Sequence, residues 1–203
     1  LAIPLFHMLE EPAREVKLQL STGMSREAQA LVEARRVDLA LLPTAFELTR
    51  LQATPVFEES FCLFGQRKLL KGRAATIAFK DIGDRPLVAP DRDHDLRRVI
   101  ERTALAQNCA LNVRYELNNS ELLRAMVRDG LAFAIMPRNA FPMADQQDVV
   151  AREIVEPALK RTQSIVSLVD HPLTPAGEAV RQALLDLVKT LVADGTLKAR
   201  LLI

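Results

Sequence analysis

Several residue types are scarce in this chain of 203 residues, and each scarcity excludes a class of protein. The sequence holds two cysteines, one tyrosine, three histidines and no tryptophan. Two cysteines cannot build the disulfide framework of a small secreted domain, and neither has the clustered partners that a metal site needs. We expect the thiols of Cys62 and Cys109 to be buried or inert, and a redox pair between them is the alternative.

Surplus charge and long apolar runs are also missing. Lys and Arg number 27 against 26 Asp and Glu. DNA binding draws much of its affinity from basic side chains on phosphates, so this chain alone is a poor candidate for it. No run of about 18 apolar residues could span a membrane. Leu1 opens directly into an amphipathic segment, so we expect no signal peptide either. We therefore expect a cytoplasmic location and no membrane partner.

The sequence contains the same helix-and-strand pattern twice. SREAQALVEARRVDLALLP (25–43) and NSELLRAMVRDGLAFAIMP (119–137) each begin with a helix-capping residue and continue with a helical pattern. Each then ends in a short apolar run stopped by proline. Laid over each other without a gap, Ser25 falls on Asn119 and Pro43 on Pro137. The repeat predicts a fold of two related halves.

Strands and helices alternate along the chain, which predicts an α/β fold with mostly parallel sheets. VKLQL (16–20), the turn at Gly23, the helix from Ser25 and VDLALLP (37–43) predict a β-α-β unit. The clearest helix follows Thr174 as its cap and Pro175 in its first turn. Further strands are predicted within residues 59–65, 86–90, 110–117, 148–155 and 161–170.

Short polar residues lie at the start of both helices of the repeat. Unpaired backbone N–H groups at helix N-termini suit carboxylates, and ligands of open α/β sheets settle beyond the carboxyl ends of strands. We expect Ser25 and Asn119 to cap their helices in any case. The short polar side chains that a ligand would meet are Ser21, Thr22, Ser25, Asn118, Asn119 and Ser120.

Taken in order, these segments resemble the effector-binding domain of LysR-type transcriptional regulators. The matching stretches are VKLQLSTGMSREAQALVEARRVDLALLP, ATPVFEESFCLFG, DRPLVAPDRDHDLRRVI, ELLRAMVRDGLAFAIMP and PLTPAGEAVRQALLDLV. The resemblance implies a fold like that of type II periplasmic binding proteins, with two Rossmann-like lobes joined by two crossover strands. The first lobe would hold residues 1–65 plus 165–203, and the second residues 66–164.

The same resemblance implies a ligand-sensing and dimerisation domain of a bacterial regulator, which is not an enzyme and needs no cofactor. A small, anionic effector would bind between the lobes. DNA would be bound only through an N-terminal winged helix-turn-helix that is absent from this chain. A homodimer is expected, and a tetramer at full length. The expected effector-binding residues are Thr22, Gly23, Met24, Ser25, Pro43, Thr44, Pro90, Asp91, Asn118, Asn119 and Ser120.

Two positions depart from the family's pattern. Met24 stands where many members have threonine, and Ala132 replaces the second glycine of the family's signature. The family's first strand would precede Leu1. These departures predict a less polar or more weakly held effector, and a domain that works without an effector is a second interpretation.

Two further function classes remain as alternatives. A solute-binding protein of a transporter would share the fold but predicts a secretory leader and more aromatic residues. An enzyme would need a catalytic constellation, and the sequence has no GxSxG motif, P-loop or paired catalytic carboxylates. The only dense charge cluster is DRDHDLRR (91–98). Asp91, Asp93, His94 and Asp95 are residue types that bind metal ions, but we favour a solvated loop that leads into a helix.

Overall fold

The computed structural model describes residues 1–10, 16–23, 25–43, 50–92, 94–141 and 147–203. It divides into two compact units. The first consists of Leu1–Glu59 with Arg161–Ile203, and the second of Ser60–Lys160. The long strand β2 (Leu51–Gln66) passes from the first unit into the second, and β8 (Lys160–Leu168) leads back.

The first unit packs helices on a small sheet. Its helices are α1 (Ala2–Leu9), α2 (Ser25–Glu33) and α5 (Pro175–Ala193). Its sheet has the order β1-β8-β2-β9, where β1 is Ala40–Pro43 and β9 is Arg200–Leu201. Strand β1 runs antiparallel to β8, and β9 runs antiparallel to β2.

Helix α5 illustrates how local sequence sets an element and its packing. The side chain of Thr174 accepts a hydrogen bond from the backbone N–H of Gly177 at 3.1 Å, which satisfies a donor that the helix itself cannot. Leu184 and Val188 on its buried face pack against Val56 and other residues of the sheet. Burying each such side chain contributes about 1.5–3 kcal/mol.

The second unit holds two sheets. Besides β2, its elements are β3 (Thr76–Ala78), a 3₁₀ turn (Phe79–Ile82), β4 (Leu87–Ala89), α3 (Asp95–Ala106), β5 (Val113–Glu116), α4 (Ser120–Arg128), β6 (Ala134–Pro137) and β7 (Val149–Val155). The larger sheet has the order β6-β2-β7-β3, in which β6 and β7 are antiparallel to β2 and β3 is parallel to β7. The smaller sheet pairs β4 with β5 in parallel.

Two apolar clusters form the core of this unit. One gathers fully buried residues such as Leu63, Phe79 and Ile154. The other includes Phe64 and Phe141, whose rings stack with centroids 4.6 Å apart. Strand β2 contributes alternate residues to both clusters, as the period of a strand requires.

The predicted repeat is present, with a shift of one residue. Strand β6 begins 94 positions after β1, as the gapless overlay predicts, but α4 begins 95 positions after α2. Each helix is followed two residues later by a left-handed residue, Arg35 (φ 55°) in the first copy and Gly130 (φ 74°) in the second. The extra residue therefore lies in the turn before the strand.

Three expectations about strands were wrong. Residues 16–20 alternate in pattern, but in the described structure they pair with no strand, because alternation sets buried faces and does not supply a hydrogen-bonded neighbour. The sheets are mixed rather than mostly parallel, since β2 and β8 run antiparallel to their neighbours β6, β7 and β1. The short strands β3 and β9 were not predicted at all.

Candidate functional site

Two candidate residues of the second unit lie together at the carboxyl edge of the parallel pair β4 and β5. The backbone N–H of Leu117 donates to the Ala89 carbonyl at 3.0 Å, which continues the pairing beyond the strands. One step further, the N–H of Asp91 donates to Asn118 Oδ1 at 3.2 Å, and Asn118 Nδ2 donates to Asp91 Oδ2 at 2.6 Å. The reciprocal bonds fix both side chains at the edge where ligands of α/β sheets settle.

The loop from Asp91 to helix α3 is closed by its own hydrogen bonds. Asp91 Oδ1 accepts from the N–H of His94 at 3.1 Å, and His94 caps the helix because its Nδ1 accepts from the N–H of Leu96 at 3.1 Å. A carboxylate in this position is favoured by the helix dipole. Asp91 Oδ1 thus accepts from His94 and Asp91 Oδ2 from Asn118. Each oxygen has a second lone pair that can accept another hydrogen bond.

Helix α4 begins at the same edge. Asn119 caps it as predicted, because its Oδ1 accepts from the N–H of Leu122 at 2.9 Å. Asn118, Asn119 and Ser120 are exposed. In the first turn, hydrogen bonds from Arg124 and then Arg128 hold the pKa of Glu121 below its usual value. The first N–H groups of the helix have no partner within the helix, as at any helix N-terminus.

A buried arginine supports this edge, and sequence reasoning missed it. Arg97 is 4% exposed. Its Nη1 donates to the Pro90 carbonyl at 3.0 Å and lies 3.3 Å from Glu116 Oε2, and its Nε donates to Glu101 Oε1 at 2.8 Å. The available signal was its spacing, since it lies three residues before Ile100 on the apolar face of α3.

In the first unit the candidate residues lie around α2 and β1. Thr22 and Gly23 are exposed, whereas Ser25 and Pro43 are half-buried. Helix α2 begins at Ser25, so Ser25 is a helical residue and the prediction that it caps the helix was wrong. Met24 and Thr44 lie outside the described residues.

The expected turn role of Gly23 is not what the structure shows. Gly23 is not among the glycines with a positive φ. A Cβ at this position would lie 2.9 Å from Glu27 Oε2, which is the end of an exposed, flexible side chain that can move aside. Neither backbone conformation nor close packing therefore requires glycine at this position.

A second buried polar group in the first unit was also missed. Glu59 and Gln163 are 5% and 8% exposed. Glu59 Oε1 accepts from Arg161 Nε at 2.8 Å and from Gln163 Nε2 at 3.2 Å. Gln163 is the strand partner of Pro43, a candidate residue. The group joins positions about a hundred residues apart, so no local pattern could have revealed it.

The metal site, the cysteine pair and the membrane span considered in the sequence can each be compared with the described residues. Within the part of the chain that the structure describes, no group of three or more His, Cys, Asp or Glu could hold a metal ion. Asp95 forms an ion pair with Arg98, and Asp93 lies outside the described residues. Cys62 is buried and Cys109 half-buried, and no disulfide joins them. No described helix is both long and apolar enough to cross a membrane.

Known proteins resemble this chain in sequence and in fold. The family described as the LysR substrate binding domain matches residues 1–189. The uncharacterized HTH-type transcriptional regulator YbhD of Escherichia coli K12 is 24% identical over 134 residues, which cover 66% of this chain and 42% of that protein. The chain therefore spans about two fifths of the length of this curated relative.

Two solved structures show the same fold. The regulatory domain of CcmR from Synechocystis PCC6803, in complex with 2-PG, has a TM-score of 0.82 at 14% identity and covers 93% of this chain and 91% of its own. The effector-binding domain of QuiR, in complex with shikimate, has a TM-score of 0.78 at 16% identity, with 93% and 90% covered. These likenesses confirm the predicted α/β fold class, that of type II periplasmic binding proteins. With the family match over residues 1–189, they establish that the chain belongs to the LysR substrate-binding domain family.

Proposed function

We propose that this chain is the effector-sensing domain of a cytoplasmic LysR-type regulator and that it catalyses no reaction. The family match gives the class of protein. The observation that carries the ligand-sensing role is the convergence of Asp91, Asn118 and the capped start of α4 at one sheet edge. The family match also favours a regulator over the solute-binding protein of a transporter.

The regulator would bind DNA through another part of the full-length protein. A formal net charge of +1 gives this chain no basic surplus for phosphates. The relative YbhD carries the name HTH-type regulator and is more than twice as long as the matched stretch. We further propose a homodimer, and a tetramer at full length, as the assembly through which an effector shifts the regulator between states.

The effector that best suits the second unit is a small acid that also carries a hydroxyl or amine donor. The unpartnered N–H groups at the start of α4 suit an acidic group. Asp91 presents carboxylate oxygens, which repel an anion but accept from a donor. Pro90, Asn119 and Ser120 complete this proposed site. The proposed contacts in the first unit remain Thr22, Gly23, Met24, Ser25, Pro43 and Thr44.

Thermal shift and calorimetric titration against matched small acids test the proposal. Shikimate, 2-PG, amino acids and the corresponding acids without a donor form the panel. A true effector at a hundredfold excess over its Kd adds about 2.7 kcal/mol to the free energy of unfolding. Donor-bearing acids should bind, and their counterparts without a donor should bind more weakly.

Two variants and a matched control locate the binding. Asp91→Asn keeps the size of the side chain but removes its charge, so selectivity for donor-bearing acids should fall. Asn118→Ala removes the partner of Asp91 and should weaken binding by roughly tenfold, the loss of about one charge-assisted hydrogen bond. Asn112→Ala is the control, because Asn112 is an exposed asparagine at the other end of β5 whose Nδ2 donates to the Asp84 carbonyl at 3.0 Å. If all three variants bind as the wild type does, the effector does not occupy this edge. A panel without any binding would favour a regulator that works without an effector.

A further inference from the structure

Arg97 is the one buried cation whose contacts end at the candidate edge of the second unit, within the described residues. We infer that Arg97 is a positioning residue, which holds the loop of Pro90 and Asp91 in the conformation that binds the effector. The inference rests on the proposed function, because it assumes that the effector binds at this edge. At 4% exposure the guanidinium is covered by protein, so it acts through Pro90 and not on the effector itself.

The guanidinium joins helix α3 to the ends of β4 and β5, two strands that the sheet already pairs with each other. Its Nη1 contacts the Pro90 carbonyl at the end of β4 and the Glu116 carboxylate at the end of β5, at 3.0 and 3.3 Å. Its Nε donates to Glu101 on α3 itself at 2.8 Å. A planar fork of five N–H donors can make such contacts in several directions at once, whereas a lysine presents one point charge.

Stability alone does not account for an arginine at this position. Removing a guanidinium from water is energetically unfavourable, and replacing both partners of a buried ion pair by well-packed apolar residues is often neutral. The side chains of Glu101 and Glu116 remain 41% and 51% exposed, so water screens the attraction. Leu96 and Ile100, neighbours on the same helix, show that apolar side chains fit this face.

The contact with Pro90 also sets the position of the next residue in the chain. Proline has no backbone N–H, so the carbonyl is its only backbone hydrogen-bonding group, and Arg97 holds it. The next residue, Asp91, makes the bonds of 2.6 and 3.2 Å with Asn118. A shift of Pro90 would lengthen these bonds and turn the Asp91 carboxylate away from the edge.

Two substitutions of Arg97 and one control test the inference on the full chain. Arg97→Met keeps the length of the side chain but removes all donors, and Arg97→Lys keeps the charge without the fork. Glu101→Gln is the control, because it removes a charged partner of Arg97 but leaves an acceptor oxygen and the contact with Pro90. Each variant is measured for its Tm, its affinity for the panel acids that bind the wild type, and amide hydrogen exchange at Asp91 and His94.

Arg97→Met should weaken binding of the acids about tenfold or more, as expected if the competent conformation falls to a tenth of the population. Its amides at Asp91 and His94 should exchange about tenfold faster, while core amides stay protected. Its Tm should also fall, because the Pro90 carbonyl loses its donor, so the exchange pattern and not Tm decides. Arg97→Lys should lie between Arg97→Met and the wild type, and Glu101→Gln should match the wild type. A merely structural arginine would instead raise exchange throughout the unit.

If Arg97→Met binds the acids as tightly as the wild type and its amides at Asp91 and His94 exchange at the wild-type rate, the inference is wrong. If that variant does not fold, Arg97→Lys decides in its place, since it retains the charge. If the wild type binds no acid, the proposed function fails at this edge, but exchange at Asp91 and His94 still measures positioning. Equal exchange in the wild type and Arg97→Met would then refute the role of Arg97 independently.

Discussion

Gly65 is a position where one added methyl group would meet the rigid ring of a buried side chain. It lies in β2 opposite Val150 in the second unit. A Cβ built on Gly65 would lie 2.5 and 2.6 Å from two ring carbons of Phe133 and 3.0 Å from Leu70 Cδ1. Non-bonded carbons prefer about 3.5–4.0 Å, so the ring would have to move by about 1 Å.

The surroundings give the ring little room for that movement. Phe133 and Leu70 are 7% and 2% exposed and belong to the same core cluster. The N–H of Phe133 donates to the Pro86 carbonyl at 2.8 Å, which fixes its backbone. Overpacking a well-filled core costs about 1–3 kcal/mol and sometimes more. We expect Gly65→Ala to lower the free energy of unfolding by about 3 kcal/mol, at the upper end of that range.

Urea denaturation measures this loss and can assign it to one unit. The only tyrosine of the chain, Tyr115, lies in β5 of the second unit, and there is no tryptophan, so tyrosine fluorescence reports on that unit. The control is Gly177→Ala in α5 of the first unit, where the nearest atom to the new Cβ is 3.4 Å away and the site is helical. That variant should leave the tyrosine transition of the second unit unchanged, and circular dichroism should show it to be neutral or up to about 1 kcal/mol more stable.

A rescue variant separates overpacking from other causes. Phe133→Leu shortens the side chain that the new methyl group meets, so the double variant should lose less stability than the sum of the two single losses. If Gly65→Ala unfolds within about 0.5 kcal/mol of the wild type, Phe133 and Leu70 do not pack against Gly65 as closely as these distances require.

Two further predictions concern the repeat and its second helix. Replacing the left-handed Arg35 with glycine should stabilise the first unit by about 0.5–1 kcal/mol, and Gly130→Ala should destabilise the second by about 1–2 kcal/mol, both measured by thermal unfolding. Glu121→Gln should lower Tm at neutral pH, because hydrogen bonds from Arg124 and Arg128 lower the pKa of Glu121 below 4.5. A lowered carboxyl pKa stabilises the fold above its unfolded value, so the difference from the wild type should disappear as the pH falls through the folded pKa. A difference that persists in acid would refute this electrostatic origin.

Elements that depend on neighbouring residues could be predicted from the sequence. Thr174 and Asn119 were identified as caps, and each accepts the expected hydrogen bond from the helix it starts. Gly130 follows α4 in the sequence and adopts the left-handed conformation that ends a helix. Caps, terminators and helical periodicity are properties of a few consecutive residues, so one sequence contains the necessary information.

Features that depend on distant partners could not be predicted in the same way. Arg97 is buried because Glu116, 19 residues away, and the Pro90 carbonyl meet it. Glu59 is buried because Arg161, 102 residues away, lies beside it. The spacing of Arg97 to Ile100 places it near the apolar face of α3, but nothing in the sequence identifies the partners of either charge. Residues 16–20 show the converse, since an ideal alternating pattern pairs with no strand in the described structure.

The two copies of the repeat have different side chains beside their strand ends, which the capping residues do not reveal. Strands β1 and β6 are equivalent, and each ends in a proline and runs antiparallel to a long strand. Gln163 of β8 lies opposite Pro43 and donates to the buried carboxylate of Glu59. Phe61 of β2 lies opposite Pro137 and is part of the apolar core. The two copies therefore share a backbone, but the side chains beside them come from strands outside the repeat. Buried polar groups therefore lie beside Pro43 and a buried apolar core beside Pro137, so the residues of β2 and β8, and not the repeat, determine the surroundings of the two strand ends.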